Sequence, residues 1–173
     1  MDVGILSVGA AALVGLGLAE ALFHRRNLRA FTHRIHVAGT RGKSSVTRLV
    51  AAGMRAGGIA TLAKTTGTVP RVILPDEREL PVFRPRGANI VEIMRVVAAA
   101  RAFEAEAIVV ECMALQPHLH WVSEDKLVRA THAVITNARP DHLDVMGPEL
   151  DDVARCLCGM IPPKGVIVSG ERE

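Results

Sequence analysis

The sequence predicts an α/β fold, a mostly parallel sheet with helices on both faces, preceded by an N-terminal apolar helix. Three observations lead there. From Arg34 onward, short runs of apolar residues alternate with stretches of helical spacing, the pattern of strands joined by helical crossovers. A glycine-rich turn, Gly39 to Gly42, stands between the first such run and the first such helix. Ahead of both, Val3 to Phe23 is apolar except for Ser7 and Glu20, long enough to cross a bilayer as one helix.

Composition narrows the class. A chain of 173 residues fits one domain with a real core. At 49% hydrophobic and 23% charged it reads as globular. Aromatics are only 3%, so the core rests on Val, Leu, Ile and Ala. A net charge of +3 and the lack of aromatic stacking platforms argue against a nucleic-acid partner. Cys112, Cys156 and Cys158 are too few for a disulfide framework and have no second pair at metal-ligand spacing. They read as ordinary reduced thiols of a cytosolic body.

Residues 1–33 form the first unit, an apolar helix and a basic stretch. Gly4, Gly9, Gly15 and Gly17 temper its hydrophobicity, and Arg25, Arg26, Arg29 and Arg34 follow with no acid among them. The positive-inside rule keeps that side in the cytoplasm and leaves Met1 and Asp2 outside. A signal peptide wants its charge before the apolar run, whereas Asp2 precedes this one, although Ala19-Glu20-Ala21 resembles a cleavage site. A helix packed within a soluble protein would pass the same length test. The reading taken is a membrane anchor, with the body at the cytoplasmic face of the cell membrane.

The second unit is 34–173. Ile35 to Ala38 reads as a buried strand, and Ser44 to Ala56 as a helix with Val46, Leu49, Val50 and Met54 at helical spacing, stopped by Gly57-Gly58. Ile59 to Leu62 reads as a short strand. Pro70, Pro75, Pro81 and Pro85 make 69–90 an extended excursion or hairpin. Ile90 to Ala105 and Leu150 to Met160 read as helices; Ala107 to Val110, Ala133 to Thr136 and Gly165 to Val168 read as strands. His118 and His120, beside Trp121, read as surface residues of a loop.

Gly39, Thr40, Arg41, Gly42, Lys43 and Ser44, with Ser45 following, make a strand–loop–helix phosphate site, a P-loop. Glycines let backbone N–H groups approach phosphate oxygens, and the helix N-terminus favours negative charge. Lys43 would neutralise the β- and γ-phosphates of ATP, and the Ser44 hydroxyl would join Mg²⁺. The usual first glycine is replaced by Val37, leaving a Gly-x-x-Gly-Lys-Ser spacing. A turn that merely packs helix on strand is the alternative, weakened because Lys-Ser falls where the helix opens.

Other strand ends should supply the remaining groups, since ligands of parallel sheets bind beyond the carboxyl ends of the strands. Glu111 directly follows Ile108-Val109-Val110 and suits Mg²⁺, unless it caps the next element or pairs with an arginine. Asn137, Asp141, His142 and Asp144 follow the next strand, where His142 has the chemistry for a second metal ion or a phosphate hydrogen bond. Thr65, Thr66 and Thr68 bring hydroxyls to the same edge or simply make a turn.

Gly39-Thr40-Arg41-Gly42-Lys43-Ser44, Glu111 and Thr136 to Asp144 resemble, in order and spacing, the motifs of the Mur ligases and folylpolyglutamate synthases. Lys64 to Thr68, Glu111 to Ala114, Asp144 to Pro148, Gly87 with Asn89-Ile90, and the apolar start followed by basic residues look like the CapB/PgsB branch, ligases of poly-γ-glutamate synthesis. The resemblance implies a fold like the Mur ligase central domain. It implies an ATP-dependent amide ligase that forms γ-glutamyl bonds through an acyl phosphate, with ATP and Mg²⁺ as cofactors.

Carried over residue by residue, Lys43 holds the β/γ-phosphates, and Ser44 and Glu111 bind Mg²⁺. His142 joins a second Mg²⁺, Thr65 and Thr66 lie near the γ-phosphate or the first metal, and Asn137 assists near the acyl phosphate. Arg71, Arg84 and Arg86 either attract a polyanionic chain or stand as solvated loop charges. The implied partners are a glutamate or poly-γ-glutamate acceptor, membrane subunits of the CapC/PgsC and CapA/PgsA types, and further copies in a homo-oligomer. Ligases of this superfamily continue well beyond the point reached at Glu173, so 34–173 is expected to be an ATPase domain truncated at its C-terminus. The alternative expectation is a non-catalytic, membrane-anchored nucleotide-binding subunit that scaffolds a polymer-synthesis complex.

Overall fold

Alternating apolar runs produce a seven-stranded sheet in the computed structural model, which describes residues 3–84 and 87–171. Met1, Asp2, Pro85, Arg86, Arg172 and Glu173 lie outside the described residues. The strands are β1 (His33–Ala38), β2 (Thr61–Lys64), β3 (Arg71–Ile73), β4 (Glu79–Pro81), β5 (Ala107–Glu111), β6 (His132–Ile135) and β7 (Val166–Ser169), in the order β4-β3-β2-β5-β1-β6-β7. β2, β5, β1, β6 and β7 pair in parallel. β3 and β4 form an antiparallel hairpin at one edge, where the prolines forecast an excursion.

Two faces of the sheet receive two sets of helices. Helix α2 (Lys43–Ala56) covers one face, packing Val46, Val50, Ala51 and Met54 on Ile35, Val37, Ala63 and Val109. On the other lie α3 (Glu92–Ala102), α4 (Pro117–Val122) with a π-helical continuation over Ser123–Val128, and α6 (Leu150–Cys158), with the short α5 (Leu143–Met146) at the edge. The central strands β1 and β5 are buried almost throughout, as parallel strands covered on both faces must be.

Helix α1 (Val3–Leu28) runs further than its apolar segment. Its residues up to Phe23 are exposed, while His24, Asn27 and Leu28 in its last turns are buried on the domain. Leu28 and Phe31 enter the same core as Ile93, Val97 and Ile108, and His24 Nε2 lies 2.9 Å from the Leu127 carbonyl. The helix is long and apolar enough to cross a membrane, and its apolar stretch is covered by no other described residue.

Two local expectations are corrected. β2 begins at Thr61 rather than Ile59, because Ile59 still donates its N–H to Met54 in the turn that closes α2. The strand runs on to Lys64, whose buried ammonium is 2.5 Å from Glu92. His118 and His120 lie on a helix, not a loop, and His120 is only 2% exposed. Buried positions 120, 123, 124, 127 and 128 have helical spacing, but three of them are the polar His120, Ser123 and Glu124, so no apolar stripe marks the helix.

Candidate nucleotide-binding site

The phosphate loop leaves β1 at Ala38 and enters α2 at Lys43 with Gly42 as its N-cap, in the left-handed region at φ 78°. Gly39 has φ 127°, and a Cβ there would sit 2.1 Å from Thr136 Oγ1, so both the backbone angle and the close approach demand glycine. Val37, at the place of the usual first glycine, is inside β1 and paired with Glu111 and Val134. The shortened spacing follows because the loop starts only after the strand ends.

The segment after β6 holds the loop. Thr40 Oγ1 donates to Asn137 Oδ1 at 2.7 Å, the Arg41 N–H donates to the same oxygen at 3.0 Å, and Asn137 Nδ2 donates to the Arg41 carbonyl at 3.1 Å. Thr136 Oγ1 donates to that carbonyl at 2.7 Å, and the Thr40 N–H to the Asn137 carbonyl at 3.1 Å. Asn137 is therefore a clamp on the loop. Lys43 Nζ donates to the Gly39 carbonyl at 2.7 Å and the Thr40 carbonyl at 3.2 Å, which folds the ammonium over the loop. Ser45 is exposed on the first turn of α2.

Glu111, 2% exposed, emerges from β5 directly beneath. Its Oε2 accepts from Ser44 Oγ and from the Thr66 N–H, both at 2.8 Å. Among the described residues Glu111 forms no ion pair and caps no helix, its partners being the phosphate-loop serine and the strand-end threonine. Thr65 is buried and closes the β2–β3 connection, its Oγ1 accepting from the Arg71 N–H at 3.1 Å.

His142 stands over the other side of the loop in the left-handed region at φ 47°, a conformation uncommon outside glycine. Its Nε2 is 3.9 Å from Asp141, and Asp141 also pairs with Arg41 at 3.2 Å. A narrow cleft lined by Gly39, Lys43, His120, Asp141 and His142 joins this segment to the loop. Among the described residues no three His, Cys, Asp or Glu side chains converge as a metal cluster. The donor set is instead one carboxylate and one hydroxyl, Glu111 and Ser44, hard oxygens that fit Mg²⁺, which takes one or two protein ligands beside phosphate oxygens and water.

Residues 37–161 match the Mur ligase middle domain. The chain belongs to the Mur ligase middle-domain family. Over 98% of its length it is 39% identical to the capsule biosynthesis protein CapB of Bacillus anthracis and 38% identical to the PGA synthase CapB of Bacillus subtilis. It spans only 37% and 44% of those curated relatives. Among solved structures it resembles Escherichia coli FolC in complex with ADP (19% identity, TM-score 0.64, 88% of this chain and 41% of that one). It also resembles the Mycobacterium tuberculosis folylpolyglutamate synthase complexed with ADP and AMPPCP (23%, TM-score 0.59, 84% and 38%). These structural likenesses establish the fold. The Mur ligase match begins inside β1 and ends just past α6, so it contains the loop, Glu111 and the Thr136–Asp144 segment.

Three features of this Mur ligase domain escaped the sequence. Arg84 is not a solvated charge: it grips Glu92 through Nε at 2.8 Å and Nη2 at 2.6 Å, and Glu92 also partners the buried Lys64. Burial pushes the Glu92 carboxyl up, but Arg84 and Lys64 outweigh it and hold the pKa below the ordinary value. Beneath the loop, His36 is fully buried with Nδ1 2.8 Å from Glu124, whose other oxygen accepts from the Ala130 N–H at 2.7 Å. Burial opposes charge on His36, yet the Cys112 thiol and Glu124 raise it to about 9. Cys112 is likewise not an ordinary thiol: against the effect of burial, His120, with Nδ1 3.7 Å from Sγ, and His36 bring it down to about 5. The only sequence signal for these groups was polar residues at buried spacings.

Proposed function

We propose that this chain is the nucleotide-binding core of an ATP-dependent acid–amino-acid ligase that forms γ-glutamyl amide bonds in poly-γ-glutamate synthesis. One observation carries the reading: Ser44 Oγ and the Thr66 N–H converge on Glu111 Oε2, beside a lysine at the mouth of a glycine loop. That is a phosphate-and-magnesium site. The kinship with two proteins named CapB, one of them a PGA synthase, supports the substrate class. It also favours a ligase over a non-catalytic scaffold.

In this reading a glutamyl γ-carboxylate oxygen attacks the γ-phosphorus of ATP, and the bond to the β–γ bridging oxygen breaks to release ADP. The amine of a second glutamate then attacks the acyl carbon, phosphate leaves with its oxygen, and the nitrogen gives up a proton as the amide forms. Lys43 exchanges its loop carbonyls for the β- and γ-phosphates. The loop N–H groups, held in place by Asn137, bind phosphate oxygens in a fixed array. Ser44 and Glu111 would hold Mg²⁺, which supplies charge neutralisation at the phosphates. Thr65 and Thr66 shape the γ-phosphate side, and His142 is assigned to a second Mg²⁺ on the opposite side.

Residues 1–33 act as the anchor at the cytoplasmic face of the membrane and 34–173 as the ATPase domain. A glutamate or poly-γ-glutamate acceptor, membrane subunits of the CapC/PgsC and CapA/PgsA types and a homo-oligomeric state complete the proposal.

The test is Mg²⁺-dependent ADP release by the full chain in detergent, with and without glutamate and poly-γ-glutamate, beside Lys43→Ala. Release stimulated by glutamate and abolished by the substitution is expected. ATP binding without release assigns this span the nucleotide-binding step alone. Release indifferent to every amino acid overturns the ligase reading, and failure to bind ATP overturns the site.

A further inference from the structure

At the N-terminal edge of the sheet, opposite the phosphate loop, a cavity of about 500 Å³ opens between the last turns of α1, the start of β1 and the loops that precede β6 and β7. That volume lies in the range of small-ligand sites. Its lining gathers Arg25 in the last turns of α1 and Arg29 just past its end, with Arg34, Arg129 and Lys164 from three further segments. None of these five cations forms an ion pair among the described residues.

The two carboxylates on the wall are already engaged. Glu124 holds His36 and the Ala130 N–H, and Asp125 is 2.5 Å from Lys126. Arg34 is fixed in place by three carbonyls, with Nε donating to Arg129 at 2.8 Å and Nη1 to Leu28 at 3.2 Å and Phe31 at 3.0 Å. Burial first, and then the neighbouring Arg129, push the Arg34 pKa below its ordinary value, with Glu124 opposing. An anion in the cavity would relieve that crowding of positive charge.

The position of the cavity selects the anion. The exposed apolar stretch of α1 ends at Phe23, so Arg25 lies about 3 Å further along the helix axis at 1.5 Å per residue, and Arg29 follows just past the helix end. The polar headgroup layer beyond the hydrocarbon core is on the order of 5–8 Å deep. Leu28 and Pro162 give the cavity apolar wall beside the cations, as a headgroup with a glycerol backbone requires.

We propose that this cavity binds the phosphate headgroup of an anionic phospholipid and so seats the domain against the membrane surface, an inference that rests on reading α1 as a membrane span. Basic clusters directly cytoplasmic of a span attract anionic lipid, each Lys or Arg near the surface adding to the affinity. Here the cations are arranged around a concave site rather than spread along a tail.

The experiment uses the full chain in nanodiscs of phosphatidylcholine mixed with phosphatidylglycerol, with retained lipid counted by native mass spectrometry. The cavity variant is Arg29→Gln/Arg129→Asn/Lys164→Gln, with asparagine chosen because position 129 has φ 50°. The charge-matched control is Arg26→Gln/Arg95→Gln/Arg101→Gln, three exposed arginines outside the cavity. The expected result is one phosphatidylglycerol retained per chain in preference to phosphatidylcholine, with an affinity that falls on the order of 100-fold in the cavity variant and holds in the control. Equal retention of the two lipids, or equal loss in both variants, overturns the proposal. So does displacement of the lipid by inorganic phosphate or by poly-γ-glutamate, which would make one of those the occupant. Flotation with vesicles of phosphatidylcholine alone tests the helix separately. A chain that fails to float breaks the anchor reading and the lipid site with it, whereas one that floats without retaining phosphatidylglycerol breaks only the lipid site.

Discussion

The two edges of the sheet hold positive charge in opposite ways. At the C-terminal edge the charge belongs to one continuous loop, Gly39 to Lys43, whose lysine and backbone are tied to one another and to Asn137. At the N-terminal edge it comes from four separated segments, and among the described residues only the Arg34 side chain is fixed, by backbone carbonyls. A contiguous loop can be made rigid by a single bracing segment, which suits a site that must meet phosphates with fixed geometry. A ring of cations from separate elements is held by the fold as a whole, and its long side chains can adjust to a ligand of less defined shape. Between the edges lies the buried His36–Glu124 pair, which joins the central strand to the helix behind it.

The sharpest way to break this comparison is to disturb the pair between the edges. Glu124→Gln takes the carboxylate partner from a fully buried His36, so stability should fall by about 3–5 kcal/mol. Thermal unfolding would register this as a drop on the order of 10 °C. Both edges should lose order together; a variant with unchanged melting would mean the pair carries no such coupling.

At the loop edge, Lys43→Ala should lower glutamate-dependent ADP release at least about 100-fold with little change in melting temperature, because among the described residues the ammonium bonds only to carbonyls of its own loop. Asn137→Ala should cost about 1–3 kcal/mol of stability, since it leaves Thr40 and Arg41 without their acceptor. It should also weaken ATP binding in isothermal titration. If binding is retained in full, the clamp is structural only.

The pH dependence sharpens the middle of the molecule. His36 is raised to about 9, above the ordinary 6.5 of an unfolded chain. Its contribution is therefore complete below about 6.5 and is lost as pH rises through the folded value. Cys112, lowered to about 5, has the opposite slope: its contribution is present above the ordinary thiol value and lost as pH falls through 5. The two slopes cancel between about pH 6.5 and 9, so in chemical denaturation of the unaltered chain their joint contribution should rise from about pH 5 to 6.5, by up to about 1.4 kcal/mol per pH unit, and then stay level. A stability that falls steadily above about pH 6.5 would contradict an ionised thiol beside His36. The smallest effect belongs to Arg41→Ala: Arg41 is 71% exposed, so losing its pair with Asp141 should change stability by no more than about 1 kcal/mol.

Much of the fold was legible because its signals are local. β1, β5 and β6 stood out as short runs of Val, Ile and Ala, and α2 through its apolar spacing followed by Gly57-Gly58. The segment 117–128 was not legible, because a helical stripe whose inward positions include His120, Ser123 and Glu124 resembles a polar loop. β2 was placed two residues early for a related reason, since its last inward residue is a lysine neutralised by Glu92 far along the chain. In the site, Gly39 to Ser44 and Glu111 were readable from type and position, but the convergence of Ser44 and Thr66 on one oxygen of Glu111 was not.

The sequence by itself determined the glycine loop, the family motifs and the apolar helix, because each depends on residues adjacent in the chain and on backbone preferences that act locally. Only the tertiary structure decided which distant groups meet. His36 finds Glu124 88 positions away. Thr40 finds Asn137 97 positions away, and five cations from four segments line one cavity. Those meetings arise where parallel strands end side by side and helices lie over them, and burial removes the water that would otherwise screen the charges.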